Sequence, residues 1–166
     1  LAGVTQITVG NGHSCALLAD QTARCWGGNA AGQLGDGSIH NRSTPAHISG
    51  LTGVTQIATG GWHTCAVLTN QTARCWGFNK SFQLGSGALP INSYTPVEVL
   101  GLTGLKQIAP GYNHTCALLA DQTVRCWGLN DFGQLGDGTT TNRVSPINVL
   151  GIPAQIFAFY LPILRR

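Results

Sequence analysis

Apolar residues in this chain come in short runs cut off by Gly, Asn and Asp, with no window holding helical spacing free of a Gly or β-branched interruption. The pattern predicts short strands and tight turns. In the first part of the chain it predicts four strands, roughly Thr5 to Val9, Ser14 to Ala19, Thr22 to Trp26 and Ala46 to Ile48. Runs such as Cys15-Ala16-Leu17-Leu18-Ala19 do not alternate polar and apolar residues. A strand of that kind is expected to be covered on both faces of its sheet.

The same order of residues then returns. Val4-Thr5-Gln6-Ile7 recurs as Val54-Thr55-Gln56-Ile57 and as Leu105-Lys106-Gln107-Ile108, and Gln155-Ile156 starts a further copy; the glutamines lie 50, 51 and 48 residues apart. Each full copy continues with a His, a Cys, an apolar run, a polar turn, Arg-Cys-Trp-Gly, then Gln-Leu-Gly and a Pro. The repeats are expected at residues 1–50, 51–101 and 102–151, with 152–166 as the start of a fourth and an apolar tail. A four-stranded sheet recurring at about this period, apolar on both faces, reads as a β-propeller blade. The predicted fold is therefore all-β: three blades of four antiparallel strands, a partial propeller. Propellers close with about four to eight blades. Three leave a bare face at each end, which is a liability for a lone monomer, so the expectation is either further blades in a longer parent chain or self-association of several chains. The apolar stretch Phe157-Ala158-Phe159-Tyr160-Leu161 is expected to latch onto a neighbouring blade edge.

The motif Gly-x-x-His-Ser/Thr, a Trp-Gly, and the loops Asn29-Ala30-Ala31-Gly32-Gln33-Leu34-Gly35-Asp36-Gly37 and Asn130-Asp131-Phe132-Gly133-Gln134-Leu135-Gly136-Asp137-Gly138 resemble the repeat of the regulator-of-chromosome-condensation propeller family. The resemblance covers residues 1 to about 150. The middle copy departs from it, with Phe82 in place of the Gly before Gln83 and Ser86 in place of the Asp. The resemblance implies a blade from a ring that usually has seven. It also implies functions as diverse as nucleotide exchange on a nuclear GTPase, light sensing and enzyme inhibition, so fold does not choose among them. Three disulfides fit poorly with nuclear exchange. Light sensing fits poorly with Trp26, Trp76 and Trp127, which occupy scaffold positions of the repeat.

Six cysteines recur at a single spacing across one hairpin, which turns at Asp20-Gln21, Asn70-Gln71 and Asp121-Gln122. Repeat symmetry selects Cys15 with Cys25, Cys65 with Cys75, and Cys116 with Cys126, on facing antiparallel positions. The rival readings are reduced core thiols or a metal site, but zinc sites place cysteines closer in sequence. Disulfides imply an oxidising compartment, extracellular or periplasmic. His13, His63 and His114 are expected to bond backbone carbonyls rather than a metal. Arg24, Arg74 and Arg125 are expected to cover neighbouring indoles as part of the scaffold.

Only 9% of residues are charged and the net charge is +3, with no run of Lys or Arg, so nucleic acid is not an expected partner. No stretch is long and apolar enough to span a bilayer, and the first residues lack the pattern of a secretory signal. The sequence holds no Gly-x-Ser-x-Gly elbow, phosphate loop or His-Glu-x-x-His, which argues against an enzyme. No cofactor and no metal are expected. Four Asn-x-Ser/Thr sequons, at Asn41, Asn70, Asn79 and Asn113, are possible glycan acceptors.

Positions that differ between copies mark where a partner would bind: Trp62, Tyr112, Asn113, Phe78, Lys80 and Tyr94. Phe78, Phe82 and Phe132 equally suit gaps between blades. Trp62 and Tyr112 are the stronger candidates, because aromatic loop tips anchor proteins and stack on sugars. The expected function is an extracellular recognition module binding a protein or glycan. The alternative is a subunit that self-assembles into a ring or filament through its open blade edges.

Overall fold

Each repeat folds as one four-stranded antiparallel sheet. In the computed structural model, which describes residues 1–87 and 91–151, the first sheet is β1 (Val4–Val9), β2 (His13–Leu18), β3 (Ala23–Gly27) and β4 (Arg42–His47). The second is β5 (Val54–Thr59), β6 (His63–Leu68), β7 (Ala73–Gly77) and β8 (Ser93–Glu98). The third is β9 (Leu105–Pro110), β10 (His114–Leu119), β11 (Val124–Gly128) and β12 (Arg143–Asn148). Strand order follows chain order in all three, the arrangement of propeller blades. The fourth strand is longer than predicted and starts earlier, at Arg42. Pro45, Pro96 and Pro146 hide that strand's β character in the sequence; they are accommodated because β4, β8 and β12 are edge strands. The expected fourth repeat and the apolar latch lie outside the described residues.

The Asp20-Gln21 turn and its two copies form as predicted. Gln21, Gln71 and Gln122 take positive φ, and Asp20 Oδ1 accepts from the Thr22 amide and hydroxyl. Across each hairpin the cysteines face one another and are joined, Cys15–Cys25, Cys65–Cys75 and Cys116–Cys126, each with Cα atoms 4.1 Å apart. Each pair is thus formed between directly facing residues of adjacent antiparallel strands.

Blades stack through two apolar clusters. One packs Cys15, Leu17, Cys25, Leu34 and Ile48 of the first blade against Val54, Ile57, Ala66 and Trp76 of the second. The other repeats this between Cys65, Val67, Cys75, Leu84 and Val99 and the third blade's Leu105, Ile108, Ala117 and Trp127. The disulfides therefore form part of the wall between blades. Covering on both faces holds for the middle blade. The outer face of the first is bare, with Val4, Ile7 and Val9 exposed, whereas Val54, Ile57, Leu105 and Ile108 are buried.

Polar groups fix the rotation between blades. Gln6 makes two bonds to the next blade, Nε2 to the Ile57 carbonyl at 2.9 Å and Oε1 from the Ile57 amide at 3.1 Å. Gln56 does the same to Ile108. The Gln33 carbonyl accepts from both the Trp76 indole and the Thr64 hydroxyl, and the Gln83 carbonyl from Trp127 and Thr115. Gly35 is required at that contact, since a Cβ there would lie 2.6 Å from Trp76 Nε1. The Gln-Leu-Gly motif of one blade is thus the seat for the Trp-Gly motif of the next.

Candidate recognition cleft at the loop end

Antiparallel order sends the β1–β2 and β3–β4 connections of each blade to one end of the sheet, and the hairpin turns to the other. At the loop end of the three blades lies an open cleft of about 420 Å³ lined by Ala30, Ala31, Trp62, Phe78, Asn92, Tyr112 and Asn113. Its walls come from three blades: Ala30 and Ala31 from the first, Trp62, Phe78 and Asn92 from the second, Tyr112 and Asn113 from the third. Trp62 and Tyr112 occupy the same connection in adjacent blades, and the Trp62 indole N–H donates to the Tyr112 hydroxyl at 3.2 Å. Gly61 makes the pairing possible, as a Cβ there would sit 2.8 Å from the tyrosine ring. Both rings stay exposed, at 38% and 59%.

Beneath the rings the cleft is braced by amides. Asn113 Oδ1 accepts from Gln83 Nε2, and Gln83 Oε1 in turn accepts from the Ser81 amide. Asn92 Oδ1 accepts from the Asn79 amide. In the first blade the loop carrying Ala30 and Ala31 is held by buried Asn29, whose Nδ2 reaches Asp36 and the carbonyls of Ser38 and His40 while its Oδ1 accepts from Leu34. Arg42 closes that loop with a salt bridge to Asp36. Burial raises the Asp36 pKa, but the hydrogen bonds from Ser38, Arg42 and Asn29 outweigh it and hold it below the usual range. In the third blade the Thr139 hydroxyl, together with Arg143, brings Asp137 down to about 2. The middle blade has Ser86 and Ser93 at these two positions and lacks the ion pair.

Of the predicted binding residues, the structure brings Trp62, Phe78, Tyr112 and Asn113 into one cleft. It does not bring Lys80 or Tyr94 there. Lys80 is exposed and is not among the lining residues, and Tyr94 packs across Gly32 of the first blade, where a Cβ would meet its ring at 2.4 Å. Tyr94 thus serves contact between blades. Ala30, Ala31 and Asn92, which also differ between copies but are not among the expected binding residues, line the cleft too; Asn92 is the counterpart of Asn41 and Asn142, which bond the same loop amide in their blades. Phe132, one of the gap-filling candidates, is instead 90% exposed.

The sequons separate by environment. Asn79 is 2% exposed and its Oδ1 accepts from Leu84, so this position is closed to a glycan in the folded chain. Asn41 and Asn70 are exposed. Asn113 lies in the cleft, where a glycan would occupy the space of a ligand.

The histidines bond differently from expectation. His13 Nε2 meets the Thr64 hydroxyl and His63 Nε2 the Thr115 hydroxyl, each at 2.9 Å in the following blade. The two threonine hydroxyls donate to the Gln33 and Gln83 carbonyls, so each imidazole is the donor at Nε2. Nδ1 of both rings is buried without a partner. Burial lowers the His13 pKa to about 4; burial, and then the neighbouring His13 and His114, lower that of His63 to about 3. Arg125 reaches back to the Gly101 carbonyl of the preceding blade, and Arg74 pairs with Glu98. Among the described residues no group of three His, Cys, Asp or Glu could hold a metal ion, and no helix is long and apolar enough to cross a membrane.

Known proteins share this arrangement. The chain is 31% identical over 144 residues to the ultraviolet-B receptor UVR8 of Arabidopsis thaliana, covering 84% of this chain and 33% of UVR8. It is 49% identical over 138 residues to the X-linked retinitis pigmentosa GTPase regulator of Canis lupus familiaris, covering 82% of this chain and 14% of that protein. Human WBSCR16 superposes with a TM-score of 0.78 at 27% identity, over 90% of this chain and 40% of its own. The chain therefore spans a third or less of the curated relatives it matches. Two models described as the Regulator of chromosome condensation (RCC1) repeat match it three times each, one at residues 4–33, 54–83 and 105–134, the other at 25–67, 75–118 and 123–159. Three blades, joined by the contacts that this repeat's motifs encode, make the chain a member of the RCC1 repeat family.

Proposed function

We propose that the chain is a non-catalytic recognition module of an oxidising, extracellular or periplasmic compartment, binding a protein or glycan at the loop-end cleft. The observation that carries this reading is the Trp62–Tyr112 pair. Two large exposed aromatics from different blades are held together over an open cavity, at repeat positions where the first blade has Gly12 and Asn11. The scaffold does not need them, and rigid aromatic anchors are what recognition surfaces use. The intra-blade disulfides support the compartment. The relatives support the class, being a receptor and a GTPase regulator by name.

The test compares variants on arrays of glycans and peptides. Trp62→Ala and Tyr112→Ala should each lower affinity for a captured ligand about tenfold or more, with melting temperature nearly unchanged. Trp76→Ala should destabilise by roughly 3–5 kcal/mol, as for a buried aromatic truncated to Ala. Equal melting losses for Trp62→Ala and Trp76→Ala would make Trp62 a core residue and remove the site.

Self-association is a second reading, favoured by the exposed Val4, Ile7 and Val9 on the first blade and the shallow cavity lined by Cys116, Leu118 and Val124 on the third.

A further inference from the structure

The cleft's unused hydrogen-bonding capacity leans towards donors. A backbone amide can only donate, so the Asn79 amide fixes Asn92 Oδ1 as an acceptor and leaves Asn92 Nδ2 free. The Ser81 amide likewise fixes Gln83 Oε1, which makes Gln83 Nε2 the donor to Asn113 Oδ1 and leaves Asn113 Nδ2 free. An indole has no acceptor, so Tyr112 accepts from Trp62 and keeps its own hydroxyl proton to donate. Three side-chain donor groups thus remain at the lining, carrying five N–H or O–H bonds between them, while the oxygens of Asn92, Asn113 and Tyr112 have each already accepted one bond. Apart from these groups the lining is aromatic or alanine, with no carboxylate, Lys or Arg.

Resting on the recognition reading above, we propose that the cleft binds a proline-rich segment of a protein partner in the extended polyproline II conformation. Such a segment presents carbonyl acceptors and flat pyrrolidine faces, and its proline nitrogens carry no proton. It therefore asks for aromatic surfaces and donors and for few acceptors. A sugar hydroxyl brings a proton that must find an acceptor, and the cleft's side chains have few to give. The cleft is lined from three blades, which suits an extended ligand lying across the blades.

The test titrates the full chain with decaproline, and separately with neutral cello- and chito-oligosaccharides, following the heat of binding by isothermal titration calorimetry. Decaproline should saturate the signal, and the change should vanish in Trp62→Ala. Asn113→Asp keeps the oxygen that Gln83 needs but replaces the free donor with an acceptor; it should weaken decaproline about tenfold, and Asn92→Asp should act likewise, with melting temperatures unchanged. Failure of decaproline to bind, or undiminished binding by both Asp variants, overturns the inference. Oligosaccharide binding that Trp62→Ala abolishes, with decaproline inert, overturns the peptide ligand and leaves the recognition cleft standing.

Discussion

At the scale of single residues, the repeat shows which positions are set by backbone and which by neighbours. Gly32, Phe82 and Gly133 are equivalent, and all three have positive φ, at 80°, 64° and 74°. A left-handed conformation costs a residue with a Cβ about 1–2 kcal/mol, so the middle blade carries strain that the other two avoid. The glycines differ in their surroundings. A Cβ at Gly133 would meet nothing nearer than the Thr139 carbonyl at 3.8 Å, but at Gly32 it would strike Tyr94 at 2.4 Å. Gly133→Ala should therefore destabilise by about 1–2 kcal/mol from backbone strain alone. Gly32→Ala should cost clearly more and loosen the contact between the first two blades. Urea denaturation of both variants decides this; equal losses would mean Tyr94 moves aside freely.

At the scale of elements, the burial of histidines whose hydrogen bonds join the blades makes stability depend on pH in a stated direction. His13 and His63 are held neutral in the fold, with values near 4 and 3 against 6.5 for an unperturbed ring. The unfolded chain takes up these protons first as pH falls, so stability is complete above pH 6.5 and declines from there towards pH 4 and 3. The slope should approach about 1.4 kcal/mol per pH unit for each ring. Asp36 and Asp137, both lowered, lose their contribution only below the ordinary Asp range, near 3.8, so the interval from pH 6.5 to 4.5 reports on the histidines. His63→Gln should flatten the slope there when unfolding is followed by circular dichroism; an unchanged slope would show that the ring is not held neutral. These bonds also mark the limit of what the sequence reveals. Turns and strands were legible because Gly, Asn and Asp punctuate them at each copy, and the disulfides because facing cysteines recur in register. The bonds from Gln6 to Ile57 and from His13 to Thr64 join residues 51 apart, and no local pattern announces them. For the same reason the sequence places Tyr94 in the same binding set as Trp62, although one faces a neighbouring loop and the other the cleft.

At the scale of the whole molecule, the junction between blades is a reusable unit, and the described residues contain two of them along with both unmatched halves. The first blade offers the Ile7 backbone, the half-buried Trp26 and exposed Ile7 and Val9 side chains. The third offers Gln107, exposed where Gln6 and Gln56 are engaged, the Gln134 carbonyl, and the partly open Cys116, Leu118 and Val124. Placed together by the repeat's own rotation, Gln107 of one copy would meet Ile7 of another as Gln56 meets Ile108. The Trp26 indole would likewise meet Gln134 as Trp76 meets Gln33. Self-association by this route depends on Ile7, whereas folding depends on its buried counterpart Ile57, at 65% and 0% exposure. Ile7→Lys should leave the melting temperature nearly unchanged while shifting sedimentation to the 17.4 kDa monomer. Ile57→Lys should unfold the chain, because an unpaired charge in the wall between blades costs several kcal/mol or more. If the unmodified chain already sediments at 17.4 kDa, these faces belong to further blades and not to a second copy, and self-assembly is excluded.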